Sequence, residues 1–489
     1  GNNEISLQEA QMRTFSNFAW MFLQTEGDYN FSSGSRGRGN LSSTANPYFL
    51  FPQIYNFRYN IYSSEWPVAN RAIELYLQKK SENEGWERQI NGLSNNEKAN
   101  LLLEKHTFKE LLADVEQRNL QNNIVGLEAS RLFARSEINM GVDAFRDSLY
   151  AMLKRNTFLN IKFENMLDTL GEMSRTDLYS YLKEWEQLTP LPFYSIGEPE
   201  LTKVVNKGGE EFFVLKVLVS NNSDYDGIIQ MNVLQNGWWY QPMEDPRARK
   251  KVEIAAHTSK EFVSVWEEQI RDVEINTMVS GNLPYMIRQS IGNVKQERNK
   301  IVKDTIYTLP ESSLEMPGEV IVDNEDSTLF VLSTPAVVGL LPKWLDKVED
   351  TSFKYSGISW WRAPLQWTAT TNAKYYGKYI RSAYVIKSGD GSQTATWKIP
   401  VPEAGQYELY YHVFKDDELR WNDRLQGEYH FRVAYDSEME DAYINLRKAN
   451  EGWEQLGTYY FSADTVRVVL TDECKLRSVT ADAVKIVKR

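Results

Sequence analysis

Cysteine is almost absent from this sequence. Its 489 residues hold one, Cys474, so no internal disulfide and no cage of thiolates around a metal can form. That scarcity leaves the compartment open, because exported proteins also exist without disulfides. Histidine is nearly as rare: His106, His257, His412 and His430 are the full set. No H-E-x-x-H places two of them one helical turn apart around a glutamate base, so the best-known zinc hydrolase motif is excluded from this stretch of chain. Long apolar runs are missing. The longest, such as "AVVGLL" at 336–341, fall far short of a membrane span, and none is expected. A net positive balance is missing as well. A formal charge of −12 argues against a phosphate-binding surface as the main function, so no nucleic acid partner is expected. The opening "GNNEIS" has no Met and no basic-plus-apolar leader, and it reads as trimmed, with a signal or an upstream domain expected ahead of Gly1.

What is present is a folded, multidomain composition. A chain of 489 residues is too long for one core and implies about three domains. Its 42% hydrophobic and 25% charged residues are those of a globular protein. Aromatics reach 13%, with 14 Trp, which suits large β-sandwich cores or sugar-stacking surfaces. Residues 1–197 read as an all-helical domain. "SLQE" at Ser6–Glu9, "SNNE" at Ser94–Glu97 and "TFKE" at Thr107–Glu110 have the capping-box form. After the first of these, Met12, Phe15, Ala19 and Phe22 recur at helical spacing. In "SRTDLYSYLKEW", Ser174 is expected to cap a helix carrying Leu178, Tyr181, Leu182 and Trp185 on one face. The Gly/Ser-rich stretch Asn30–Thr44 reads as a mobile loop.

From about Gly197 the period changes to that of strands. Residues 198–295 have the length of a small antiparallel sandwich, 296–315 read as a charged connector, and 316–489 form a second β-region. The expected fold class is multidomain α + β: a helical domain, a small β-sandwich, then a C-terminal, jelly-roll-like β-sandwich. In "ATWKIPVPEAGQYELYYHV", residues 402–405 supply the turn. Tyr407, Leu409 and Tyr411 then alternate on one face, with Glu408, Tyr410 and His412 on the other.

Two resemblances follow from longer motifs. "YNIYSSEWPVANRAIELYL", "GVDAFRDSLYAMLKRNTF" and "ENMLDTLGEMSRTDLYSYLKEWEQLTPLPFYSI" together resemble the C-terminal part of the thermolysin-like zinc aminopeptidases, the family of aminopeptidase N, over roughly residues 50–295. The resemblance implies helices followed by a small sandwich, but the catalytic residues fail. His106 and Glu110 have helical spacing, and the favoured reading is a solvated helix start. The Tyr–x–Lys–Gly signature that helps stabilise the oxyanion finds only "NIVG", Asn123–Gly126. No catalytic residue, metal ligand or cofactor is therefore assigned, and any peptidase activity would need sequence upstream of residue 1. The second resemblance covers about 316–489. "VIVDNEDSTLF", the run Tyr375–Val413, "GEYHFRVAY", "GWEQLGTYYF" and "VRVVLTDECKLRSVTADAVKIV" resemble a golvesin C-terminal-like, or xanthan-lyase carbohydrate-binding-like, module. An insertion at Phe414–Gln426 departs from that pattern.

A sugar site needs exposed aromatic faces beside hydroxyl partners. The candidates are Trp360, Trp361, Trp367, Tyr375, Tyr376 and the inserted Trp421. Trp397 and Trp453, inside strand patterns, are expected in the core, the latter with Leu456 and Tyr459. "SWWRAPLQW" reads as an interface onto the helical domain, "DNEDS" at Asp323–Ser327 as a solvated turn rather than a calcium loop, and Trp238-Trp239-Tyr240 as an anchor for the first sandwich. Asp416, Asp417, Glu418 and Asp423 supply carboxylates of no fixed geometry. The leading expectation is a non-catalytic C-terminal region of an exported, peptidase-like bacterial protein (periplasmic, cell-surface or secreted). Its partner would be a glycan or a cell-envelope component. A polysaccharide lyase or hydrolase and a purely structural interaction protein are the alternatives, and the oligomeric state stays open.

Overall fold

A computed structural model gives the fold. It describes residue 12 and residues 60–77, 84–157, 159–188, 190–234, 245–298, 302–312, 314, 318–333, 353–358, 363–415, 427–436 and 438–489. The expected loop Asn30–Thr44, the first capping box, and Trp238–Tyr240 lie outside them.

The described N-terminal part is helical, with helices at Ala69–Leu77, Glu84–Asn91, Asn95–Leu103, Phe108–Ala113, Gln121–Met140, Val142–Arg155, Phe163–Ser174 and Leu178–Lys183. Two expected capping boxes form. Ser94 accepts from the Glu97 amide while Glu97 accepts from the Ser94 amide, and Thr107 and Glu110 do the same. Ser174 does not cap the next helix. Its hydroxyl donates back to the Leu170 carbonyl at 2.8 Å, at the end of the preceding helix. Asp177 is the cap instead, accepting from the Ser180 amide at 3.1 Å. Trp66, Phe108 and Trp185 meet edge-on and stacked at 4.7–6.0 Å between centroids in the helical core. Short strands β1 (Asn60–Tyr62) and β2 (Asn160–Lys162) pair in parallel beside it.

The middle part is a sandwich of two sheets. β6 (Gly227–Leu234), β7 (Arg249–Ile254), β9 (Asp272–Asn276) and β10 (Met286–Ser290) form one, in the order β10-β9-β6-β7. The other runs β11-β4-β5-β8-β12, from β4 (Glu200–Val205), β5 (Glu211–Asn221), β8 (Thr258–Trp266), β11 (Val294–Arg298) and β12 (Thr305–Pro310), with β3 (Tyr194–Ile196) also on β5. Leu215, Val217, Ile229, Met231, Phe262 and Trp266 fill the space between the sheets. Part of the stretch 296–315, expected as a charged connector, is strand in this sheet. β11 pairs in parallel with β4 and β12 antiparallel with β8, so both belong to the sheet. Among the described residues they are the two outer strands of the sheet, one at each end. An edge strand bears charge and weak alternation without penalty, which hides it in a sequence.

The C-terminal part is a second sandwich. Its first sheet, β13-β24-β18-β21, comprises β13 (Glu319–Val322), β18 (Gly405–Val413), β21 (Gly452–Phe461) and β24 (Val484–Lys488). The facing sheet, β14-β17-β22-β19-β20, comprises β14 (Phe330–Leu332), β17 (Thr394–Pro400), β19 (Glu428–Tyr435), β20 (Glu438–Asn445) and β22 (Thr465–Thr471). A smaller sheet joins β15 (Thr368–Thr371), β16 (Ser382–Lys387) and β23 (Ser478–Ala481). Trp397, Tyr407, Leu409, Tyr411, Phe431 and Phe461 are buried between the two large sheets. The whole is α + β: helices first, then two sandwiches.

The three parts touch. Thr371 Oγ1 donates to the Gly92 carbonyl at 2.7 Å. Leu283 of the middle sandwich bridges Ile380 of the C-terminal one, with Leu283 N–H to Tyr379 O at 3.0 Å and Arg381 N–H to Leu283 O at 2.6 Å. Leu93, Leu283, Tyr355 and Ala369 close a small apolar cluster where all three meet. Gly92 and Gly357 permit this approach. A Cβ on Gly357 would stand 1.8 Å from the Ile90 carbonyl oxygen, and one on Gly92, at φ +80°, 2.3 Å from Ser356 backbone.

Candidate functional site

Strand β18 alternates as its sequence reads. Tyr407, Leu409 and Tyr411 point into the sandwich, and Glu408, Tyr410 and His412 point out. The neighbouring β21 does not alternate evenly. Leu409 faces Gly457, but Tyr410 faces Gln455, so Leu456 is an extra residue in a β-bulge. One added residue reverses which face each later side chain takes. Tyr459 and Phe461 therefore face Tyr407 inside, whereas Trp453 comes to lie opposite His412 on the outer face. The expectation that Trp453 belongs to the core is overturned by this bulge. Trp397, expected in the core, is fully buried there.

The outer face gathers a cluster around Trp453. His412 meets its ring edge-on at 5.2 Å between centroids, and Tyr376 lies 5.0 Å from it at 59°. Lys485, on β24, holds its ammonium 4.9 Å above the indole and 5.4 Å above Tyr410, while donating to Glu319 Oε1 at 2.8 Å. Tyr410 donates to Glu408 Oε2 at 2.6 Å, which raises the phenol above its ordinary range. Beneath these groups sits buried Asp482. It accepts from the Tyr376 amide at 3.1 and 3.2 Å and faces His412 Nδ1 at 2.9 Å, so one carboxylate fixes both the Tyr376 loop and the imidazole.

Asp482 is an expensive anchor. Burial raises its carboxyl above the usual range, and His412, the Tyr376 amide and Arg381 offset part of that shift. Asp323 lies close enough to feel its charge and is raised well above the ordinary value, first by burial and then by Asp482. Burial lowers the Arg381 guanidinium, whose Nη1 donates to the Ala373 carbonyl at 2.8 Å. The "DNEDS" turn is accordingly not simply solvated. Asn324 is buried, and Glu325 accepts from Tyr355 Oη at 3.1 Å and pairs with Lys354.

The face offers half-buried rings beside a lysine, an imidazole and carboxylates that are largely buried at one side of the sheet. That set can stack against C–H faces and exchange hydrogen bonds with hydroxyls. Among the described residues, no group of three or more His, Cys, Asp or Glu is placed to hold a metal ion. His106 and Glu110 stand exposed at a helix start, where the Thr107 amide holds the Glu110 carboxyl below its usual range.

Of the aromatics picked from sequence, Tyr376 joins this cluster. Tyr375 does not: it is buried, edge-on to Phe414 at 4.7 Å, and cannot offer a stacking face. Trp367 is half-buried against the sandwich core, its indole N–H enclosed without a hydrogen-bond partner among the described residues. Trp360, Trp361 and Trp421, with Asp416, Asp417, Glu418 and Asp423, lie outside the described residues. Sequence reading missed Trp453, Lys485 and His412 as site residues. The outward alternation of His412 was visible, but its partner across the bulge was not.

Residues 361–488 match the family model of the golvesin C-terminal domain. Among solved structures, the chain is similar to a Paenibacillus xanthan lyase (16% identity, TM-score 0.25), over 62% of this chain and 27% of that one. It is also similar to a Podospora anserina GH26-CBM35 β-(1,4)-mannanase (12%, TM-score 0.19; 36% and 28%). A CBM35 from Cellvibrio japonicus gives 13% and a TM-score of 0.18, over 27% of this chain and 90% of that one. The chain thus spans little more than a quarter of the first two. At such scores these likenesses carry no weight for function. No curated protein matches the chain.

Proposed function

We propose that the C-terminal sandwich is a glycan-binding module and that the outer face of β13-β24-β18-β21 is where it takes sugar. The observation that carries this is Trp453: a tryptophan turned outward by a bulge and flanked by Tyr376, His412 and Lys485 on the outer face of the sheet. The match of 361–488 to the golvesin C-terminal domain supports the assignment to this part of the chain. The same proposal includes the setting that the helical motifs suggest. The helical part and the middle sandwich would belong to an exported, peptidase-like protein in which any hydrolysis would need sequence outside this chain, and the module would attach it to a glycan or the cell envelope.

The test is affinity electrophoresis through gels holding konjac glucomannan, xyloglucan, xanthan or polygalacturonate. At least one polysaccharide is expected to slow the protein. Trp453→Ala should weaken that interaction about tenfold to a hundredfold, the scale of one large apolar contact. Trp453→Phe should restore most of it. Retardation by none of the four, or equal retardation of the Trp453→Ala protein, would overturn the proposal.

A further inference from the structure

The facing sheet carries a second arrangement that the Trp453 face does not use. β19 and β20 pair so that His430 lies opposite Tyr443 and Arg432 opposite Asp441. Phe431 and Val433 on β19, and Ala442 and Ile444 on β20, point into the core, so His430, Arg432, Asp441 and Tyr443 lie on the outer face. Tyr443 stacks on His430 at 5.0 Å and 12°, yet stays 58% exposed. β20 is the outermost strand of its sheet among the described residues, with β19 as its neighbour. One face of the phenol ring is thus braced by imidazole while the other is open.

The imidazole is itself fixed. Nε2 lies 2.9 Å from Asp441 Oδ1, and Nδ1 lies 3.3 Å from Thr471 Oγ1 and 3.4 Å from Glu473 Oε2. Both carboxylates remain open to solvent, with side chains 59% and 63% exposed, so each keeps acceptor capacity. A braced ring with an open face, bordered by acceptors and a guanidinium, is the chemistry of a sugar shelf.

We infer that the sandwich has a second glycan-contacting face, built on Tyr443 with His430, Asp441, Glu473 and Arg432, and that it takes neutral sugars. Asp441 and Glu473 accept hydroxyls, and their two negative charges outweigh the one positive charge of Arg432, so the face as a whole repels uronate or sulfate groups. The two faces lie on opposite sheets of one sandwich, so they cannot share a single short sugar. They engage separate chains or separate stretches of one polymer, which raises avidity without any new contact. The inference rests on the module's being glycan-binding, but not on Trp453.

Calorimetry of the full chain with mannohexaose, cellohexaose and xylohexaose tests it, alongside gels of glucomannan and polygalacturonate. The expected stoichiometry is two neutral hexasaccharides per chain, falling to one in Tyr443→Ala and one in Trp453→Ala. In glucomannan gels Tyr443→Ala should bind about three- to tenfold more weakly. Its melting temperature should hold, because the ring is exposed, and Tyr443→Phe should retain binding. One site per chain, lost in Trp453→Ala and untouched by Tyr443→Ala, would overturn this inference and leave the first reading standing. Polygalacturonate binding that Tyr443→Ala abolishes would overturn the assignment to neutral sugars. No binding to any probe would overturn both.

Discussion

Asp482 and Asp323 show what a single position costs and secures. Asp482 holds the Tyr376 amide and His412 from beneath, and burial raises both carboxyls above their ordinary range. A raised acid opposes folding once it must ionise. Between the ordinary value near pH 4 and the raised one, the folded state binds more protons than the unfolded state. Stability from these groups is therefore greatest in acid and declines as pH rises through that window. Asp323→Asn removes one of the two charges and keeps an oxygen for the Asn324 amide, which now donates to Asp323 at 2.6 Å. Urea unfolding should show the variant more stable at pH 7, with the gain shrinking toward about pH 4. A variant less stable at pH 7 would mean that the charge is compensated.

Elements decide which of these residues meet. The golvesin-like pattern was readable as strands and turns, and the inward set Tyr407, Leu409 and Tyr411 followed from period two alone. The bulge at Leu456 was not readable, because the extra residue has meaning only against its partner strand. β11 and β12 were hidden for a related reason. Thr305–Pro310 has exposed Ile306, Tyr307 and Leu309, and its membership of a sheet comes from hydrogen bonds to β8. Hydrogen exchange should distinguish the two descriptions. A peptide covering 302–312 should show amides protected well beyond the exchange time of a free chain, at the alternate positions that pair with β8. Exchange as fast as an unstructured peptide would restore the connector.

At the scale of the molecule, three cores meet in one small contact. Gly92, Gly357, Leu283 and Ile380 bring the helical part and both sandwiches into contact. Heat should then unfold the chain with strongly coupled transitions. Gly357→Val drives a side chain into the Ile90 carbonyl and should cost about 1–3 kcal/mol. At about 2–4 °C per kcal/mol, that lowers the melting temperature by several degrees or splits the transition. Gly292→Ala, where a Cβ meets nothing within 4 Å, is the control and should melt unchanged. Identical melting of both variants would show the contact to be weak.

The sequence determined the order of the parts, the class α + β, two of the helix caps and the inward face of each well-patterned strand. Those features depend on neighbours along the chain, within one turn or one pleat. Only the tertiary structure decided that Trp453 faces out and Tyr375 in, that Asp482 supports the site, and that His430 braces Tyr443. Each of these is set by which strand lies alongside and in what register, and a register is a property of two segments far apart in the chain.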